Sequence, residues 1–143
     1  MLTWPCSSAG NLAEQGAKVT AHYNTNVTTL QPLIFQYGSA RIQALQANLV
    51  EEQAVIDLFH EATSSSFGEI HVLILNHAIG DIADEPVWKM PLERWKRTID
   101  TNLTSSFIVA KEYLKQLEAA SDTIKDRASV VLIGSTAGKY GAS

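Results

Sequence analysis

Ser135, Asn102 and Asn76 are the side chains whose types and settings best suit the handling of a polar ligand. Ser135 lies in Gly134-Ser135-Thr136-Ala137-Gly138, directly after the apolar run Val130-Val131-Leu132-Ile133. A hydroxyl there can hydrogen-bond a carbonyl or alcohol oxygen, and it can equally cap a turn or a helix. Asn76 follows a second apolar run, Val72-Leu73-Ile74-Leu75, and opens Asn76-His77-Ala78-Ile79-Gly80. Its amide can hold the backbone of that loop while Ala78 and Gly80 let a flat cofactor approach closely. The alternative is an Asx-turn that merely closes the strand. Asn102 sits inside a long helical pattern, one position before Leu103. Asparagine competes for backbone hydrogen bonds in a helix, so its placement asks for a reason, of which exposure to solvent would be one. His77 adjoins the same loop and can titrate near neutrality. His22, His60 and His71 share no ligand spacing with Cys6 or one another, and no metal site is expected. Trp4, Trp88 and Trp95 read as packing or loop anchors.

Apolar runs ending in small polar residues are what a parallel sheet shows when ligand-handling groups sit at the carboxyl ends of its strands. The intervening pattern supports this. Residues 12–16 read as the last turn of a helix stopped by Gly16, and residues 18–23 as a short strand turned by Asn24-Thr25-Asn26. Residues 28–37 can be helical only if Pro32 falls in the first turn, and Gly38-Ser39 ends them. Residues 42–49 form a strand with Leu45, Ala47 and Leu49 on one face. Residues 51–62 form a helix with Ala54, Val55, Leu58, Phe59 and Ala62 at helical spacing, its first turn carrying Glu51 and Glu52. A polar loop covers residues 63–68. Residues 70–75 and 129–133 read as strands buried on both faces. Residues 81–91 are a loop carrying Trp88 and Met90. Residues 92–118 give the strongest helix, with Leu92, Trp95, Ile99, Leu103, Phe107, Ala110, Leu114 and Leu117 as its core-facing stripe. Residues 122–127 are a polar turn. Strands spaced by helices of this length imply βα units.

The 143 residues are expected to make one domain, and their 45% hydrophobic content is ordinary for a globule. The formal charge of -4 shows no basic block and argues against nucleic acid. Cys6 is the only cysteine, which suits a reducing compartment. No apolar run reaches membrane-spanning length, and residues 1–10 lack a signal-peptide pattern. Asn26-Val27-Thr28 and Asn102-Leu103-Thr104 match the glycosylation pattern by chance.

From residue 12 onward the chain resembles the short-chain dehydrogenase/reductase family. Leu12-Ala13-Glu14-Gln15-Gly16-Ala17-Lys18-Val19 resembles the close of the family's first helix and the start of its second strand. Leu75-Asn76-His77-Ala78-Ile79-Gly80 resembles its Asn-Asn-Ala-Gly segment, with His77 for the second Asn and Ile79 inserted. The stretch from Glu93 to Leu103 resembles the helix carrying the family's asparagine, and residues 129–138 resemble the strand and loop carrying its serine. The resemblance implies an α/β fold: a Rossmann-like parallel sheet with helices on both faces, incomplete, forming a single partial NAD(P)-binding domain over residues 1–143. It implies hydride transfer between C4 of a nicotinamide and an alcohol or carbonyl carbon. By motif, Ser135 orients and polarises the substrate oxygen, and Asn102 holds a backbone carbonyl and a water in the proton relay. Asn76, Ala78 and Gly80 line the cofactor pocket. Asn48 stands where the family has an adenine-side Asp. Asn24 and Asn26 follow a strand without the acidic residue of NAD-binding members, which favours NADP over NAD. Partners are then a small alcohol or carbonyl substrate and other copies of the chain, with no nucleic acid or membrane, and the default compartment is the cytoplasm.

Two departures temper the resemblance. The glycine-rich phosphate loop is missing, with Cys6-Ser7-Ser8-Ala9-Gly10 as a shortened remnant. No Tyr-x-x-x-Lys follows Ser135, and Lys139 and Tyr140 stand in the wrong order to replace it. That tyrosine is the family's acid or base. The expectation is therefore a truncated reductase, weakly active or inactive as written, with bare strand edges that favour aggregation. The alternatives are a non-catalytic Rossmann-like structural or interaction protein, and a flavodoxin-like or response-regulator-like domain, for which the acidic cluster is lacking.

Overall fold

The computed structural model describes residues 4–80 and 86–136. It divides into two compact units, Met1–Glu69 and Ile70–Ser143. The first runs α1 (Trp4–Glu14), β1 (Val19–Tyr23), α2 (Gln31–Tyr37), β2 (Ile42–Gln46) and α3 (Glu52–Ser64). The second runs β3 (Val72–Leu75), a 3-10 turn (Val87–Lys89), α4 (Leu92–Ile99), a π segment (Asp100–Thr104), α5 (Ser105–Ala119), α6 (Asp122–Lys125) and β4 (Ser129–Leu132).

Local chemistry accounts for the first unit. Gly16, at φ 90, ends α1. Its N–H donates to the Ala13 carbonyl and the Ala17 N–H to that of Leu12, the paired bonds of a Schellman cap. Residues 6–10, the expected remnant of a phosphate loop, belong to helix α1, and Gly10 is buried in it. An added Cβ at Gly10 would meet Leu33 Cδ2 at 3.2 Å, so the glycine serves helix packing. Asn26 Oδ1 accepts the Thr28 N–H at 2.8 Å, an Asx-turn that leads into α2. Pro32 falls in the first turn of α2, where its missing N–H costs nothing. β1 and β2 pair in parallel, Val19 opposite Ile42 and Tyr23 opposite Gln46. Ala13, Ala21, Leu30 and Ile42 form a core between these elements. Leu45, Ala47 and Leu49 are all buried, as are Val55, Leu58, Phe59 and Ala62 of α3. Lys18 closes the far end of α3 onto β1, donating to the Ser66 carbonyl at 2.8 Å and lying over the Phe67 ring.

His22 in β1 donates from Nε2 to the Ala47 carbonyl at 2.8 Å. Burial holds its pKa below the ordinary histidine value, against a smaller opposite pull from that bond. Above about pH 6.5, folded and unfolded chains are both neutral at this ring. Below it the unfolded chain takes the proton first, so stability falls as pH falls through and beneath that value. Urea melts at pH 7.5 and pH 5 are expected to show this loss, and His22→Gln, which keeps a donor but cannot titrate, is expected to reduce it.

In the second unit β3 and β4 are also parallel, Val72 opposite Ser129 and Leu75 opposite Leu132. The ladder extends through Ser129 N–H to the His71 carbonyl and Ile133 N–H to the Leu75 carbonyl. Tyr113 of α5 is buried, and its hydroxyl donates to the same His71 carbonyl at 2.8 Å. Tyr113→Phe is expected to cost only about 1 kcal/mol, because Ser129 N–H still satisfies that oxygen. Thermal denaturation of the variant measures it.

Three expectations need correction here. Neither strand is buried on both faces: Val72 is exposed, only Leu75 of β3 is fully buried, and all four residues of β4 are exposed. A ribbon of two strands leaves too little neighbouring structure to cover both faces, whatever the apolar content. The long helix runs unbroken in helical dihedrals from Leu92 to Ala119, but it is π-wound at Asp100–Thr104. Most of its expected core stripe faces outward, with Ile99, Ala110 and Leu117 half-buried. Leu92, Trp95, Leu103, Phe107 and Leu114 are exposed, while Ser105, Val109 and Tyr113 are buried. Ser105 lies two residues from Leu103, about 200° round the helix, so the buried face is close to opposite the expected one. Two lesser adjustments are the extension of α3 to Ser64 and the short α6 within the expected polar turn. Asp81, Ile82, Ala83, Asp84 and Glu85 of the expected loop lie outside the described residues.

Candidate active site

The carboxyl edge of the β3–β4 pair gathers Asn76, Asn102 and Ser135. Leu75 ends β3 and Asn76 follows directly, half-buried. Ser135 stands three residues beyond Leu132, the end of β4, and is exposed. Because Leu75 and Leu132 are in register in parallel strands, Asn76 and Ser135 leave the sheet at the same edge.

Asn102 reaches this edge from the helix. Its Oδ1 accepts the Ile79 N–H at 2.8 Å and its Nδ2 donates to the Ile79 carbonyl at 2.9 Å. A carboxamide is matched in this way to the N–H and C=O of one residue because it presents one acceptor and one donor side by side. The residue is half-buried at the centre of the π segment. There the Ser105 N–H reaches the carbonyl of Asp100 rather than stopping at residue 101. The wider turn re-phases the helix and turns Asn102 towards the loop, a use of π geometry common at functional positions. The reason the sequence asked for at Asn102 is therefore the loop rather than solvent.

The rest of the loop is held or open in turn. His77 Nε2 lies 2.6 Å from Ser105 Oγ and 3.4 Å from Ser106 Oγ. Ala78 and Gly80, on either side of the clamped Ile79, are exposed. Among the described residues no atom lies within 4 Å of a Cβ built on Gly80, so their packing does not demand the glycine. In the first unit Asn24 and Asn48 lie at the carboxyl ends of β1 and β2. The Asn24 carbonyl accepts from Gln46 Nε2 at 2.8 Å. Asn48 Nδ2 donates to Glu51 Oε1 at 2.6 Å, and the Glu51 N–H donates to the Asn48 carbonyl.

A family model for short chain dehydrogenases matches residues 7–143. The chain belongs to that family. Relatives include a short-chain type dehydrogenase/reductase of Picea abies, 24% identical over 92% of this chain and 51% of its own length. The 3-oxoacyl-(acyl-carrier-protein) reductase FabG of Escherichia coli is 30% identical over 93% of this chain and 50% of its own. This chain thus spans about half the length of the curated relatives it matches. Among solved structures, serine dehydrogenase from Escherichia coli superposes with a TM-score of 0.79 at 22% identity, covering 96% of this chain and 59% of that one. The fold is that of the short-chain dehydrogenases, an α/β arrangement of parallel strands and helices with an incomplete sheet.

In this chain, the positions named from sequence fall into two groups. Asn76, Ala78, Gly80, Asn102 and Ser135 share one edge of the second unit; Asn24 and Asn48 share the corresponding edge of the first. Ala137, Gly138, Lys139 and Tyr140 lie outside the described residues. Ser105 and Ser106 were not singled out from sequence, and Glu51 only as a carboxylate at the start of its helix. The signal for the serines was available: two hydroxyls three and four positions after Asn102, hence within its helical turn.

Proposed function

We propose that this chain forms the cofactor-binding and substrate-orienting part of an NAD(P)-dependent oxidoreductase acting on an alcohol or carbonyl carbon. The single observation that carries the reading is the two-bond hold of Asn102 on Ile79, beside strand ends that bear Asn76 and Ser135. The residues fit a flat dinucleotide: exposed Ala78 and Gly80 leave the loop surface clear, and the flanking groups are neutral donors and acceptors. When bound, the nicotinamide supplies or accepts the hydride. Ser135 donates a hydrogen bond from its hydroxyl to the substrate oxygen, orienting it and polarising the carbonyl, and keeps its proton. Asn102 keeps the loop in the shape that lines the pocket. Asn48, its Nδ2 engaged by Glu51, offers Oδ1 to an adenine amino group. The family model spans both units, which supports their forming one NAD(P)-binding domain.

NADP is favoured over NAD. Asn24 follows β1 where an acidic residue would hold the ribose hydroxyls, and an Arabidopsis thaliana relative at 27% identity is named an NADPH-dependent aldehyde reductase. The lone Cys6 suits the reducing cytoplasm. Among the described residues no helix is long and apolar enough to cross a membrane. The exposed stripe Leu92, Trp95, Leu103, Phe107 and Leu114 supports assembly with further copies. A recess of about 340 Å³ lined by Val87, Met90, Leu92 and Trp95 continues it.

A polypeptide of these 143 residues contains no Tyr-x-x-x-Lys. It is therefore expected to bind NADPH with little or no turnover of ketones, since the proton partner of the hydride is missing. Fluorescence titration with NADPH tests the reading. A folded, monodisperse chain that leaves NADPH fluorescence unchanged would overturn it, and turnover at the rate of a full-length family member would overturn the expected inactivity.

A further inference from the structure

Ser105 is fully buried, with 0% of its surface exposed. An alanine would fill the same space without a polar group to satisfy, so the hydroxyl needs a purpose. It has two bonds. Its proton is committed to the Thr101 carbonyl at 2.5 Å, since a carbonyl oxygen can only accept. Ser106 likewise donates to the Asn102 carbonyl at 2.8 Å. Each serine has one hydroxyl proton, so neither can donate to His77. The ring must then donate from Nε2 to Ser105 Oγ at 2.6 Å, with the longer 3.4 Å approach to Ser106 secondary. This fixes the tautomer: Nε2 carries the hydrogen in the neutral ring as well as in the charged one. The loop is thereby held at two points on one stretch of helix, at Ile79 by Asn102 and at His77 by Ser105.

We infer that Ser105 is a positioning residue whose hydroxyl, acting through His77, sets the orientation of residues 76–80 and so the surface they offer to the cofactor. The last step rests on reading that loop as cofactor-lining. An attachment at His77 beside the one at Ile79 restricts the loop further, and preorganisation of this kind strengthens binding by cutting the ordering cost.

Hydrogen exchange read by mass spectrometry, imidazole ¹⁵N NMR and NADPH titration test this on the 143-residue chain. Ser105→Ala is expected to speed exchange in residues 76–80 about three- to tenfold, the loss of one net hydrogen bond, while β4 and α5 change little. The His77 tautomer balance should shift away from Nε2–H, and NADPH should bind more weakly by a similar factor. His77→Gln, which places a donor where Nε2 stood, should retain the protection that His77→Leu loses. If the wild-type chain ignores NADPH but exchange and tautomer respond, the clamp stands and only the cofactor reading fails. Unchanged exchange and tautomer in Ser105→Ala overturn the clamp, as does an equal rise across the whole unit. Should Ser105→Ala fail to fold, equal protection in His77→Gln and His77→Leu overturns it.

Discussion

Asn102→Asp is expected to release residues 76–80 and to weaken NADPH binding at least tenfold. The substitution keeps the size and shape of the side chain and exchanges one NH2 for a carboxylate oxygen. Oδ1 could still accept the Ile79 N–H, but the second oxygen would face the Ile79 carbonyl at the 2.9 Å now spanned by the amide bond. Two acceptors at that distance repel, and half-burial limits the relief that water can bring. Asn102→Ala removes both bonds without the repulsion and lets water reach Ile79, at a cost of about 1–3 kcal/mol. The expected order of damage is therefore Asp above Ala, the reverse of a ranking by size. Exchange of the Ile79 amide and NADPH titration both read it. An Asp variant that binds like the wild type would show that the clamp is irrelevant to the site.

Leu103→Lys with Phe107→Lys is expected to abolish self-association of the chain while leaving its melt nearly unchanged. Each of the two residues is 64% exposed, so neither contributes much to the unit's own core. Burial between copies would be worth roughly 1.5–3 kcal/mol for each large apolar side chain. Losing four of them across a symmetric contact, with charges in their place, should weaken assembly at least about a hundredfold. Val109→Lys on the opposite, buried face should instead unfold the unit. Sedimentation velocity over a concentration series separates the two behaviours. A wild-type chain that stays monomeric at high concentration would remove the basis for an assembly surface.

The same helix shows where reading from sequence reached its limit. Residues 92–117 carry an unmistakable apolar period, and the helix is there. Periodicity identifies an apolar face but does not say which other face is also occupied. Ser105, Val109 and Tyr113 form a less apolar stripe, yet they are the ones buried beside β3 and its amino end. The strands repeat the lesson. Their branched apolar residues made parallel pairing legible, whereas burial depends on how many layers surround a strand, which its own composition does not record.

For the site, the order of strand, Asn76 loop, Asn102 helix and Ser135 loop was legible in the sequence because parallel βα units return every strand's carboxyl end to one edge. The wiring was not. That Asn102 holds Ile79, that His77 leans on Ser105, and that Glu51 engages Asn48 all depend on side-chain directions. Those directions are set by a single π turn and by two loop conformations.

By itself the sequence determined the family, the βα order and the edge at which polar groups collect, because chain connectivity and hydrophobic spacing are written in one dimension. Only the tertiary structure decided which helix face is buried, which groups each amide grips and which nitrogen of His77 carries the hydrogen. Hydrogen bonds are directional and short-ranged, so their partners exist only once distant residues have been brought within reach.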